Sequence, residues 1–146
     1  MPDEQANEVY GMISVVRDME SIGNIIHNKM IPMIDLKEAM EKDFSEKGKS
    51  ELLAYHESIC KQISRLQHTY SEIDPEIARK TVLMEQKYLD LLSQYRTDLL
   101  TRLTKEQKQP FKTHRVYWEL MDLLKQINVF TDNIAKTILT SFGKFR

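Results

Sequence analysis

Asp18, Glu20, Asn24, His27 and Asn28 are the densest group of side chains in this sequence with the means to do chemistry. They fall within VYGMISVVRDMESIGNIIHNKM, residues 9–30, where Met12, Val15 or Val16, Met19, Ile22, Ile26 and Met30 return every three or four places. At 3.6 residues per turn that apolar series forms one side of a helix and must be laid against other helices, leaving the polar group on or beside the other side. Glu20 and Asn24 are one helical turn apart and face each other, so a carboxylate and an amide oxygen there could help to hold a hard cation if other helices supplied more oxygens. Asp18 and Glu20 do not face each other. Without further donors the group reads as solvated helix surface, and Asp132 with Lys136 reads as a surface acid–base pair worth about 0.3–0.5 kcal/mol.

The remaining candidates are thinner. None of His27, His56, His68 and His114 forms HxxxH or HExxH, so zinc hydrolysis has no support. His56 and Cys60 lie one turn apart, but Leu52, Ile59 and Ile63 around them favour a hydrogen-bonded pair at or near the core. A single cysteine excludes an internal disulfide and every CxxC arrangement. No GxxxxGK[ST], GxGxxG or GxSxG pattern occurs, which removes the phosphate cradle, the dinucleotide site and the hydrolase elbow. Tyr88, Tyr95, Arg96 and Arg102 have the spacing of core residues with snorkelling surface bases rather than of a base-stacking strip.

The elements that position these residues are all helical. The first is expected over 4–43, with Asp3 near its start and a kink near 32, where Pro32 has no N–H to donate and collides with the preceding turn. Gly23 in its middle costs about 1 kcal/mol of helix propensity, for which a close helix neighbour is one possible reason. A second helix over 46–72 has Ser45 as N-cap and Leu52, His56, Ile59, Ile63, Leu66 and Tyr70 inside. Asp74-Pro75-Glu76 opens a third over 75–107, and Pro110 precedes a fourth over 111–141 that ends before Gly143. Short joins make neighbours antiparallel, giving an all-α, elongated up-down four-helix bundle about 45 Å long in a single domain, 1–146.

Composition fits that architecture and narrows function. Apolar residues make up 41% and charged residues 29% of the 146, with Gly 4 and Pro 4, as in a compact helical domain. Lys+Arg 21 against Asp+Glu 22, with no long block of one sign, gives no electrostatic case for nucleic acid. No apolar run approaches the eighteen or so residues that suggest a membrane span, so no direct membrane insertion by this segment is expected.

RDMESIGNIIHN in the first helix, FSEKGKSELLAYHE in the second, MEQKYLDLLSQYR in the third and MDLLKQINVFTDNIAKTIL in the fourth carry, in order and spacing, a resemblance to the PhoU family. In particular, the chain resembles the PhoU-like cytoplasmic C-terminal domain of bacterial sodium/phosphate cotransporter-related proteins, over nearly its whole length. Family members gather metal on E/DxxxD acids. Matched position by position, the resemblance places acids at Asp18, Glu20, Asp122 and Glu85. Asn24, Lys125, Val129 and Leu89 stand where acids often follow, and Asn28 and Asn133-Ile134-Ala135 keep closing parts of the motif. Lys and Val remove oxygen donors and negative charge, so no metal and no other cofactor is expected.

The resemblance therefore implies a non-enzymatic regulatory domain at the cytoplasmic face of the bacterial inner membrane, within a longer protein. Its implied partner is a transmembrane transporter domain or another phosphate-regulatory protein, with a homodimer possible and phosphate transport as the process modulated. The alternative is a free-standing PhoU-like regulator of phosphate uptake that binds metal through Glu20, Asn24 and Glu85, with His27 as a further candidate.

Overall fold

A computed structural model describes residues 2–106 and 111–145, and within them the side chains of Pro2, Glu106 and Phe111 are not described. The described residues are helical throughout, apart from short joins: α1 (Pro2–Asn24), a π-helical turn (Ile25–Met30), α2 (Met33–Glu38), α3 (Glu46–Glu72), α4 (Pro75–Glu106), α5 (Phe111–Ser141) and a final 3₁₀ turn (Gly143–Phe145). The expected starts have their physical causes in place. Ser45 Oγ accepts from the Gly48 N–H at 3.0 Å, and Asp74 Oδ1 accepts from the Glu76 N–H at 2.9 Å, satisfying donors that a first helical turn leaves free. Ile73 ends α3 in the left-handed conformation at φ 52°, which turns the chain sharply into α4.

The first helix differs from the single kinked rod expected over 4–43. Over Ile25–Met30, ahead of the proline, the ladder loosens to the π form, with the Ile31 N–H reaching Ile26 O at 3.0 Å, and regular helix then ends at Glu38. The wider turn inserts one residue into the inward series. Ile25 is therefore followed inside by the half-buried Met30 and buried Met33, where an unbroken α-helix would have turned Asn28 or Lys29 inward.

Cross-helix contacts give the directions. Glu51 meets Arg102 of α4 and Tyr117 of α5, and Gln62 meets Thr81 and Asn128. Hence α3 runs antiparallel to α4 and parallel to α5. Gly11 of α1 lies against Ser141 and Thr137 at the far end of α5, while Lys29 and Met33 lie beside Trp118 near its start, so α1 is antiparallel to α5. The up-down order holds, but the ring is not closed. α5 packs on α1, α3 and α4, α3 packs on α4, and the side where α1 should meet α3 is open.

The core has two apolar parts. One gathers Ile25, Met33, Phe44, Tyr55, Ile59, Leu92, Leu99, Met121 and Ile127. The other gathers Val15, Leu66, Ile134, Ala135, Ile138 and Phe145. Between Ile59 and Leu66, and between Ile127 and Ile134, sits a buried polar layer containing Gln62, Thr81 and Asn128.

Candidate interaction surface

The polar residues best placed for chemistry are buried in helix-to-helix ties. Glu51 is turned inward from α3, where Arg102 clasps it with two bonds of 2.7 and 3.1 Å and the Tyr117 hydroxyl donates to it at 2.6 Å. Burial pushes the Tyr117 hydroxyl well above its ordinary range, and the Glu51 carboxylate beside it pushes the same way. Burial pulls the Arg102 guanidinium down, but its hydrogen bonds and charge contact with Glu51 outweigh that and hold it above its usual value. Arg102, read from sequence as a snorkelling surface base, is thus the cation of a buried pair.

In the polar layer the Gln62 amide donates to Thr81 O at 2.9 Å and to Asn128 Oδ1 at 3.2 Å, and accepts from Arg65 at 2.8 Å. Arg65 also donates to the Tyr88 hydroxyl at 3.3 Å. Asp132, expected on the surface, is buried too, with Oδ2 at 2.7 Å from Lys136 and Oδ1 lacking a hydrogen bond among the described residues. Glu85 lies near this pair; burial raises its carboxyl above the usual range, Asp132 adds to the rise and Lys136 opposes it. Tyr55 is fully buried with no hydrogen bond to its hydroxyl among the described residues, and burial, then Glu85 and Asp122, raise it strongly.

These ties correct the inward face expected for α3. Glu51, Tyr55, Ile59, Gln62, Leu66 and Thr69 are inside, whereas His56, Ile63 and Tyr70 are exposed. His56 and Cys60, expected at or near the core, form an exposed contact with Sγ 3.6 Å from Nε2. His68 pairs with Glu72 at 3.5 Å on the surface, and His27 is exposed.

Glu20 and Asn24 stand on the exposed side of α1, where Asn24 accepts a hydrogen bond from Asn28 rather than joining Glu20. Glu85 lies instead on α4 beside Asp132 and Lys136 of α5. Among the described residues no three His, Cys, Asp or Glu side chains are grouped to hold a metal ion, and no helix is long and apolar enough to cross a membrane.

A long concave feature lies instead along the open α1–α3 side. Met12, Val15, Val16 and Met19 of α1 form one wall of an apolar groove of about 330 Å³, closed by Tyr70 of α3 and by Phe142 and Phe145 beyond α5. A second stretch of about 390 Å³ shares Met19 and Tyr70 and continues past Ile22, Ile63 and Leu66 over Ile134. The α1 stripe expected to be interior accounts for it: Val15 is buried and Ile22 and Met30 partly so, while Met12, Val16, Met19 and Ile26 face outward. A groove this apolar and open at one side has the form into which the nonpolar face of another helix fits. Comparison of the chain with family models, with curated proteins and with solved structures gives no match.

Proposed function

We propose that this chain is a non-catalytic regulatory module that works through protein contacts on its α1–α3 side, in the manner of the PhoU-like cytoplasmic part of a sodium-dependent phosphate transporter. The observation that carries the interaction reading is the continuous apolar groove through Met12, Met19, Ile63 and Tyr70. The buried polar residues point the same way, because Glu51, Gln62 and Asn128 hold helices together instead of facing a cleft. Phosphate transport as the process regulated rests on the four-segment sequence resemblance alone.

The test is sodium-driven uptake of labelled phosphate in cells with the intact gene, with the segment encoding this chain removed, and with Met12→Glu/Val16→Glu/Met19→Glu. Removal is expected to change the uptake rate severalfold, and the triple variant to reproduce the change without loss of helical content. Uptake unaffected by removal refutes the phosphate role. Uptake altered by removal but untouched by the triple variant refutes the groove as the working surface.

A further inference from the structure

We infer that the occupant of the open side is a second copy of this chain, docked so that the two α1 helices lie antiparallel about a two-fold axis level with Arg17 and Asp18. The inference rests on the groove being an interaction surface, as proposed above, but not on phosphate transport.

The outward stripe runs Val9, Met12, Val16, Met19 and Gly23 of α1 and Ile26 of the π turn, alternating steps of three and four as in the seam of paired helices. Its large members are 40–64 % exposed. The stripe matches itself when reversed. Val16 of one copy meets Met19 of the other, Val9 meets Ile26, and Met12 meets Gly23.

That last layer explains a glycine that the single chain does not. A Cβ added at Gly23 would meet no atom within 4 Å, so no neighbouring helix in the chain requires glycine there, although glycine disfavours the helix. Opposite the long, flexible side chain of Met12 from a second copy, the missing Cβ becomes the space that side chain fills.

The area agrees with this pairing. With Ile63 and Tyr70 of α3, the exposed stripe offers on the order of 700 Å² per copy, above the patch on most monomers and close to the ~800 Å² per partner of a standard interface. An isologous pairing also closes on itself and leaves no further stripe to propagate.

The experiment is sedimentation equilibrium in the analytical ultracentrifuge on the full chain at micromolar concentration, with circular dichroism to confirm helical content. A mass of twice 17.2 kDa is expected. Gly23→Met, which meets open space in the folded monomer, is expected to keep the helical signal and weaken the dimer about tenfold or more. Adding Met12→Ala to Gly23→Met is expected to restore it, because the large and small members of the layer have changed places.

A monomeric wild-type chain overturns the inference, as does a dimer indifferent to Gly23→Met or a double variant that stays weak. The two proposals fail separately. A monomer whose triple-glutamate variant still alters uptake leaves the groove with a different occupant. A dimer broken by Gly23→Met with uptake unchanged leaves the dimer standing and removes its regulatory role.

Discussion

Arg102→Ala is the most informative single change to the interior, because it removes one partner of the buried pair and leaves the other in place. The Arg102 and Glu51 side chains are 15 and 6 % exposed, so solvent screens little of their interaction. With arginine gone, Glu51 keeps only the Tyr117 hydroxyl among the contacts described for it and stays too enclosed to be rehydrated. Stranding a buried charge costs about 3–5 kcal/mol, a large share of the roughly 5–15 kcal/mol that holds a domain folded. For a chain of this size that corresponds to about 10–15 °C in melting temperature. Replacing both partners, Glu51→Leu with Arg102→Met, removes the stranded charge and is expected to be neutral or to gain about 1–4 kcal/mol. Urea unfolding followed by circular dichroism, at one protein concentration so that any self-association is held constant, measures both. A loss under about 1 kcal/mol for Arg102→Ala, or a double replacement as damaging as the single one, refutes the reasoning.

Three further outcomes follow from particular contacts. At Gly11 a Cβ would lie 2.5 Å from Ser141 Cβ, so Gly11→Ala is expected to cost about 1–3 kcal/mol by forcing α1 off α5, and Ser141→Gly to recover most of that in the same urea assay. Tyr55 and Tyr117 are raised above their ordinary range, chiefly by burial, so the fold favours their neutral forms. Their contribution is whole below about pH 10 and is lost as pH rises through the higher folded values; Tyr55→Phe/Tyr117→Phe should show a shallower alkaline fall in unfolding free energy, and an equal fall refutes this. The Glu85 carboxyl is also raised, so its favourable contribution is present below its unfolded value and lost as pH rises through the folded one; Glu85→Gln is expected to exceed wild type in stability at pH 7 and to lose that margin below pH 4.

The helices themselves were legible because their causes are local. Ser45 and Asp74-Pro75 mark helix starts within a few residues of the groups they satisfy. The facing of α3 was not legible. Periodicity places Ile63 and Tyr70 inside by hydropathy, whereas Glu51 and Gln62 are inside because their partners lie on other helices, Arg102 51 residues away and Asn128 66 residues away. The same limit applies to α1, whose stripe is recognisable in sequence without any sign of which neighbour covers it. Of its two glycines, Gly23 drew notice by its mid-helix place, yet Gly11 is the one against a neighbouring helix.

The open side and the polar layer have one cause. Ties at Glu51 and Gln62 fix the rotation of α3 about its own axis, and that rotation sends Ile63 and Tyr70 toward α1 instead of into the core. Meanwhile α1 is held to α5 through the close approach at Gly11 and through Glu8, which accepts from the Gly143 N–H at 3.2 Å, and so is not drawn across to cover them. An apolar interior would release α3 to turn and bury its own Ile63. Gln62→Leu/Asn128→Leu removes both side chains of the central tie together, so it is expected to leave unfolding free energy within about 2 kcal/mol of wild type. It is also expected to weaken self-association about tenfold or more, as the α3 wall of the groove loses its fixed orientation. Self-association unchanged in that variant, with the helical signal intact, shows that the polar layer does not set the groove and separates two features that the structure ties together.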